Sequence, residues 1–324
     1  MALRTDLTGM FGIEHPIVLA PMGGVAGGVL AAAVSEAGGL GLIGAGGGDR
    51  EWLDRECGLA ADGTGKPWGI GLLLWAIDMD IVLSVIERRP QAIMLSFGDP
   101  APYAAAIRDA GIRLLVQVTD MDEAARALDV GADVVIAQGS EAGGHCGHRA
   151  TLPFVPSVVD LAASTPVLAA GGIADGRGLA AALTLGAAGA LIGTRFEATH
   201  EALISAAEAK AIVAAHASDT ECNRALDIAR GSAWPAEYPA RTLRNPFLDR
   251  WHGREAELAS DPVALQEYRD AAERDDLDYV PVWAGEAVDL ITDLESAADL
   301  VGRIGRDAEK AILDAAKRCV AATK

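Results

Sequence analysis

The stretch AQGSEAGGHCGHR, residues 137–149, places two histidines, a cysteine and an arginine directly after an apolar run. Glu141 and two glycines precede His145 within it. Because the ordinary pKa of histidine, about 6.5, lies near working pH, His145 is suited to act as a general base or acid. A metal site and a simple polar turn are the alternatives for this stretch.

A metal site would need three or four ligands in suitable geometry, and HCGH supplies only sequence neighbours, with no second cluster elsewhere. We therefore expect no metal. Cys146 is the weaker candidate nucleophile, because side chains adjacent in sequence usually point apart. His148 and Arg149 are expected to be solvated or to lie at the rim of a substrate site. His145 remains as the candidate catalytic residue.

Eight short apolar runs bounded by glycine or proline predict parallel strands buried on both faces. They cover residues 16–20, 40–44, 68–73, 92–96, 113–118, 133–138, 166–171 and 189–194. Helical patterns alternate with them, several beginning near Asp or Pro and ending at Gly. Eight strand–helix units in about 200 residues predict a (β/α)8 TIM barrel.

The alternative fold is a doubly wound sheet, whose fingerprint GxGxxG is matched by GLGLIG at residues 39–44. Those glycines fall inside the second predicted strand rather than at a strand-to-helix turn, so the match is weak. We predict a barrel formed by residues 1–200 and 281–324. A helical, charge-rich appendage, residues 201–280, is inserted before the C-terminal helices near the barrel mouth, and its stretch at 234–247 is irregular.

The composition narrows the class of protein. A formal charge of −19 disfavours nucleic acids and anionic membrane surfaces as partners. Four cysteines without a CxxC pair indicate a reducing compartment. Because the sequence shows neither an apolar leader nor an uninterrupted apolar run of 18 residues, we expect a cytoplasmic location and no contact with membranes.

Glycine-rich turns follow the seventh and eighth predicted strands, where barrels of this kind commonly hold phosphate groups. AGGIADGRG follows the seventh, and Asp175 or Gly176 is placed to open a helix whose free N–H groups attract an anion. IGTRF follows the eighth. Two such turns on consecutive strands predict a bound phosphate: Gly171 and Gly172 allow close backbone approach, and Gly193 and Thr194 add backbone donors and a hydroxyl. Tight turns without a ligand are the alternative for these glycines, and the molecule that carries the phosphate is left open.

An ordered set of motifs resembles the nitronate monooxygenase family, also called 2-nitropropane dioxygenases. The motifs are LAPMGG after the first strand, AQGSEAGGHCG after the sixth, AAGGIADGRG after the seventh and GTRF after the eighth. RTLRNPF in the appendage and WAGEAVDLI in the returning segment extend the likeness over nearly the whole chain.

The resemblance implies a tightly but noncovalently bound FMN. It places Pro21, Met22 and Gly23 against the isoalloxazine, and Gln117 and Gln138 against ring or ribityl atoms. Gly71, Gly143 and Gly144 also belong to the implied cofactor site, the last two because they let the loop pass close to the flavin. The resemblance implies that the phosphate is bound by Gly171, Gly172, Gly193 and Thr194. His145 matches the family's catalytic histidine. The implied reaction is oxidation of alkyl nitronates or nitroalkanes by O2. The oligomeric state is left open, with a homodimer as one alternative.

One departure from the family pattern concerns the third strand. Many members carry an asparagine in a GVN pattern there, whereas this chain has GIGLLLW, with Leu72 at that position. One hydrogen bond to flavin or substrate is therefore expected to be absent, and the pocket near Leu72 and Trp75 is expected to be more apolar. The substrate is thus left open.

Two other functions remain open from the sequence. The first is an NAD(P)H-dependent FMN reductase of enones or quinones, or of acyl thioesters, resembling enoyl-acyl-carrier-protein reductase II, which shares the EAGGH loop and the glycine turns. The second is a non-redox barrel that binds another phosphate ligand. The PMGG motif and the intact loop at 137–149 argue against that second function.

Overall fold

The structure, a computed structural model, describes residues 3–319. Its strands are β1 (Ile17–Leu19), β2 (Gly41–Gly46), β3 (Trp68–Leu73), β4 (Ala92–Ser96), β5 (Arg113–Val118), β6 (Val134–Gln138), β7 (Gly144–His145), β8 (Val167–Ala170), β9 (Gly189–Ile192), β10 (Thr220–Asn223) and β11 (Ala240–Leu243). Its α-helices are α1 (Asp6–Phe11), α2 (Gly28–Glu36), α3 (Arg50–Gly63), α4 (Met79–Glu87), α5 (Ala101–Asp109), α6 (Met121–Asp129), α7 (Thr151–Ala162), α8 (Gly176–Thr184), α9 (Thr194–Glu197), α10 (Ala206–Ala214), α11 (Ala225–Ala229), α12 (Pro246–Trp251), α13 (Glu255–Ala259), α14 (Pro262–Ala272) and α15 (Ala297–Cys319).

Eight parallel strands form one sheet in the order β1-β9-β8-β6-β5-β4-β3-β2. The sheet closes between β1 and β2, because Leu19 N–H donates to the Leu40 carbonyl and Leu40 N–H donates to Ile17, both at 2.9 Å. The predicted TIM barrel is therefore confirmed, with the seventh and eighth predicted strands appearing as β8 and β9. The glycines at 39–44 lie at and within β2, so the doubly wound alternative is wrong.

Alternation along the strands separates two apolar layers, as the pleat requires. In β1, Val18 packs inside the barrel with Leu42 and Met94, whereas Ile17 and Leu19 pack against the surrounding helices. The side chains of α1 join the interior cluster, and Leu7 and Phe11 contribute to it. The barrel centre is thus a filled core, and its carboxyl end is left for a site.

Aspartates fix where several barrel helices begin. Asp49, Asp78, Asp120 and Asp175 each accept hydrogen bonds from backbone N–H groups of the first turn of α3, α4, α6 and α8. Such caps satisfy donors that have no partner within the helix. The first residue of α8 is Gly176, and a Cβ there would lie 2.4 Å from the Ala308 nitrogen of α15. The C-terminal helix therefore packs directly against the unit that follows β8.

The segment 201–280 combines α10–α14 with two strands that the sequence analysis did not assign. β11 lies within the stretch predicted to be irregular and pairs antiparallel with β10 on one side and with β7 on the other. Phe247, Trp251 and Tyr268 centre an apolar cluster of its own. The division into barrel and appendage remains a prediction, and the segment is joined to the barrel loop through β7.

Within the described residues, no helix is long and apolar enough to cross a membrane.

Candidate active site

A cavity of about 330 Å³ opens at the carboxyl ends of the barrel strands. This volume lies at the lower end of the range of small-molecule sites. Every residue that the sequence analysis assigned to the cofactor or to catalysis lines it: Pro21, Met22, Gly23, Gly71, Gln117, Gln138, Gly143, Gly144, His145, Gly171, Gly172, Gly193 and Thr194. Their individual roles stay predictions.

His145 is buried at the cavity wall and is held by a carboxylate from the appendage. Its Nε2 lies 3.0 Å from Oδ2 of Asp227, a residue of α11. Burial lowers the pKa of His145 below its ordinary value, and the hydrogen bond to Asp227 offsets part of that effect. The imidazole is therefore mostly uncharged near neutral pH.

The tautomer of His145 follows from its partner. An ionised carboxylate only accepts hydrogen bonds, so Nε2 carries a proton and Nδ1 carries the lone pair of the neutral ring. Nδ1 has no hydrogen-bond partner among residues 3–319. This nitrogen is the basic atom of the site.

Asp227 was not found by the sequence analysis. It also accepts from Arg230 at 2.7 Å, and Arg230 lies over the ring of Trp283 at 4.9 Å. His145 and Arg230 hold the pKa of Asp227 below its usual range, although burial alone raises it. The sequence DIAR looks like an ordinary helical ion pair, so no local signal marks Asp227 as the partner of a histidine 82 positions earlier.

The backbone of His145 is fixed from two directions. Gln138 Nε2 donates to the His145 carbonyl at 3.1 Å, and Gln117 Nε2 donates to Gln138 Oε1 at the same distance. On the other side, His145 pairs with Ala240 of β11. The two glutamines, predicted to reach the flavin, therefore also hold the loop that carries His145 in place.

Glu141 lines the cavity, and its carboxylate also folds the loop. Both of its carboxylate oxygens lie 3.0 Å from the Thr151 N–H, and Oε2 also accepts from the Thr151 hydroxyl. Gly143 lies against the protein as well: a Cβ there would come within 2.6 Å of Gly285 N and 2.7 Å of Thr194 Oγ1. The absence of a side chain at Gly143 is thus required by the loop's own packing.

The turns after β8 and β9 offer backbone donors for an anion. Gly171 and Gly172 adopt φ values of 95° and 73°, a region that favours glycine. The N–H groups of Gly172 and Gly193 have no acceptor in the described part of the chain. A Cβ at Gly193 would lie 3.4 Å from Met22 Sδ and 3.6 Å from Ala20 Cβ, so this glycine closely approaches the segment that follows β1.

The start of α8, the helix after β8, differs from the expectation that its N–H groups are free to attract an anion. Asp175 accepts from the N–H groups of Arg177 and Gly178, at 2.9 and 3.1 Å, so its carboxylate occupies the donors at the start of α8. The free donors are those of the glycine turns. Thr194 Oγ1 accepts from Gly285 N–H at 3.0 Å, which leaves its hydroxyl hydrogen available to a ligand.

Aromatic rings close the remaining side of the cavity. Trp234 stacks on His145, and Phe97 meets Trp234 edge-on at 4.9 Å. Leu72 lines the cavity, and Trp75 packs 5.0 Å from Trp234 as a further layer. This wall is apolar around Leu72 and Trp75.

Cys146, His148 and Arg149 do not line the cavity. Cys146 is fully buried, and a hydrogen bond with Cys222, together with burial, raises the pKa of its thiol. His148 is exposed, and Arg149 lies over the ring of Phe154. Within residues 3–319, no three His, Cys, Asp or Glu side chains come together as metal ligands.

A closed barrel of eight parallel strands with a cavity at their carboxyl ends, lined by a buried histidine, defines the TIM-barrel class. The sequence model of the nitronate monooxygenase family matches residues 4–80 and 75–307. The chain belongs to the nitronate monooxygenase family and is a flavin-dependent oxidoreductase.

Three proteins of different names are similar to this chain. Nitronate monooxygenase npaC of Metarhizium robertsii is 37% identical over 336 residues, with 93% of this chain and 92% of that protein covered. A (3aS,4S,5R,7aS)-5-hydroxy-7a-methyl-1-oxo-octahydro-1H-indene-4-carboxyl-CoA dehydrogenase of Mycobacterium tuberculosis is 37% identical over 253 residues, covering 77% of this chain and 69% of that protein. The structure of FabK from Thermotoga maritima superposes with a TM-score of 0.86 at 33% identity, covering 98% and 99% of the two chains.

Proposed function

We propose that this protein binds FMN and oxidises alkyl nitronates, and nitroalkanes after deprotonation by His145, with O2 as the electron acceptor. The observation that carries the proposal is the unpartnered Nδ1 of His145 in the cavity, with Nε2 held by Asp227. Family membership and the likeness to npaC support the reaction class.

The described residues fit the phosphate of FMN. The N–H groups of Gly172 and Gly193, which have no acceptor within residues 3–319, and the hydroxyl of Thr194 are donors suited to a phosphate. Pro21, Met22 and Gly23 would lie against the isoalloxazine. When bound, FMN supplies the redox chemistry that the side chains lack.

The protein's own contribution is to move one proton. Nδ1 accepts the proton from the carbon that bears the nitro group, and Asp227 stabilises the imidazolium that results. Because burial lowers the pKa of His145, the base is ready in its uncharged form near neutral pH. The aromatic wall, with Trp234 on the imidazole, excludes water from the base.

Replacing His145 tests the role of the base. His145→Gln should lower turnover of a neutral nitroalkane by about 100-fold or more, the usual scale of general base catalysis. A preformed nitronate needs no base, so its oxidation should change little. If His145→Gln loses the same fraction of activity on both substrates, the role of His145 as general base is rejected.

A reductase or dehydrogenase acting on an acyl thioester or enone is the second candidate. It is favoured by the apolar wall around Leu72 and Phe97 and by the likeness to the M. tuberculosis CoA-ester dehydrogenase. Anaerobic mixing distinguishes the two candidates. Rapid bleaching of the flavin by NADH supports a reductase, whereas bleaching only by a nitronate supports the leading proposal. The cytoplasmic location and the homodimer stay predictions.

A further inference from the structure

Glu197 is a carboxylic acid in the cavity wall that the proposed mechanism does not use. It is the last residue of α9, three positions after Thr194, and so lies on the same side of that turn. It lines the cavity although it is only 4% exposed. Glu197 is therefore a buried acid in the wall of the cavity that the glycine turns also line.

Neither carboxyl oxygen of Glu197 has a hydrogen-bond partner in the described chain, and Oε2 is completely buried. Leaving a buried polar group unpaired is costly, so such a group in a cavity points to a ligand. Glu56 shows the contrast. It is equally buried, yet it accepts from Gly28 N–H and from Arg55 Nε, both at 2.8 Å.

The surroundings disfavour a negative charge on Glu197. Burial raises its pKa well above the usual range, and the negative charge of Glu208 on α10 acts in the same direction. The neighbouring Arg195 is engaged by Asp293 and Glu295. The segment 21–28 after β1 contains no titratable side chain. Glu286, in the turn Glu286–Leu290 that contacts α9, pairs with Arg241.

An uncharged carboxyl group donates one hydrogen bond, whereas a carboxylate beside a phosphate repels it. We propose that Glu197 binds FMN as an uncharged acid, donating its hydroxyl hydrogen to an oxygen of the phosphate held by the turns after β8 and β9. This inference rests on FMN as the proposed cofactor, and it makes Glu197 a specificity residue for the phosphorylated flavin.

The expected consequence is that FMN binding depends on one proton. Below the raised pKa of Glu197 the acid is protonated and binding is tight. Above it, the proton must be taken up on binding, so the Kd rises by about tenfold per pH unit. Glu197→Gln keeps an N–H donor that does not titrate, so this part of the pH dependence disappears. The titration of the phosphate itself is common to both proteins.

The experiment measures the Kd of the apoprotein for FMN by quenching of flavin fluorescence across a pH series. Glu197→Leu should weaken FMN by about 10- to 100-fold at neutral pH, the value of a hydrogen bond to a charged group. The Kd of Glu197→Gln for FMN should lie within about threefold of the wild-type Kd at neutral pH. The rise in Kd at high pH that is due to Glu197 should be absent from this variant. Riboflavin, which lacks the phosphate, should bind all three proteins alike. The matched control Glu56→Gln should keep the wild-type pH profile.

A stability measurement separates this role from a structural one. Removing an unpaired buried acid should leave the apoprotein of Glu197→Leu as stable as the wild type or more so, while its FMN affinity falls. An identical pH profile in wild type and Glu197→Gln, or an equal loss of riboflavin and FMN in Glu197→Leu, would overturn the inference. A wild-type protein that binds no FMN would instead refute the proposed cofactor. If Glu197→Leu does not fold, the pH profile of Glu197→Gln decides alone.

Discussion

His145 and Trp234 stack face to face, with ring centroids 3.5 Å apart and planes within 8° of parallel. The indole covers one face of the imidazole, and Asp227 occupies its Nε2 edge. These contacts leave Nδ1 as the ring nitrogen without a hydrogen-bond partner among residues 3–319. Because Trp234 comes from the appendage, that segment contributes to the burial of the imidazole.

Removal of the indole should change the titration of His145. Trp234→Ala exposes the imidazole to water, so the burial that lowers its pKa weakens and the pKa rises towards its ordinary value. NMR titration of the ring protons measures this, with His145→Gln assigning the resonance. Trp234→Phe keeps a stacked ring and should keep the lowered pKa. An unchanged pKa in Trp234→Ala would show that the indole does not desolvate the base.

The carboxylate of Asp227 should control the acid limb of the pH profile, the low-pH range in which turnover of a nitroalkane is lost. Base catalysis is lost as the pH falls through the pKa of His145, which lies below its ordinary value, and Asp227 raises that pKa. Asp227→Asn should therefore move the acid limb to lower pH. It should also lower the plateau of kcat/KM by about 100-fold, because an amide does not stabilise the imidazolium.

A nitronate substrate provides the control for Asp227→Asn. Its oxidation needs no proton transfer to His145, so its kcat/KM should change by less than about threefold. If the acid limb of the pH profile for the nitroalkane stays in place in Asp227→Asn, or moves to higher pH, the result would contradict the assigned pairing of Asp227 with His145.

Two glycines in the cavity wall should respond differently to an added methyl group. A Cβ at Gly71 would lie 2.3 Å from Pro21 Cβ and Cγ, so Gly71→Ala should destabilise the fold by about 2 kcal/mol through overpacking. A Cβ at Gly23 meets no atom within 4 Å. Gly23→Ala should leave the unfolding free energy within about 0.5 kcal/mol of wild type but weaken FMN by about tenfold, by occupying ligand space.

Denaturant unfolding measures the stability of both variants, and flavin titration measures their affinity for FMN. Full FMN affinity in Gly23→Ala would mean that the flavin does not approach the segment after β1. Unchanged stability in Gly71→Ala would show that Pro21 moves aside without cost.

The buried guanidinium of Arg195 should be a large contributor to stability. Its side chain is 1% exposed and binds Asp293 at 3.0 Å and Glu295, linking the turn after β9 to the segment before α15. Arg195→Met removes both charged hydrogen bonds, while Glu295 keeps its pair with Arg303, and should cost about 2 kcal/mol in denaturant unfolding. The control is Arg113→Met, which breaks a pair whose arginine is 52% exposed and should cost less than about 1 kcal/mol. Similar losses for both would be inconsistent with burial as the cause.

The barrel could be predicted from sequence because each strand is a short apolar run followed by its own helix. The carboxyl ends of such strands converge, so the motifs after strands 1, 6, 7 and 8 could be placed in one cavity without knowing any side-chain contact. His145, Gly172 and Gly193 were located in this way.

Asp227, Trp234 and Glu197 could not be predicted in the same way. Asp227 and Trp234 reach the site only because β7 pairs with β11, and pairing between distant short strands leaves little trace in local periodicity. Glu197 follows GTRF in a stretch that resembles an ordinary helix start, and only the fold buries it. The local sequence therefore predicts strands, helices and turns better than it predicts contacts between residues that are far apart in the chain.

The pairing of β7 with β11 also has a consequence for synthesis on the ribosome. The chain emerges from its N-terminus, and β9, the last barrel strand, ends at Ile192. Asp227 and Ala240 follow only later. A nascent chain can therefore assemble all eight parallel strands while its histidine still lacks both carboxylate and partner strand, so competence for chemistry should be acquired after the cylinder itself has formed.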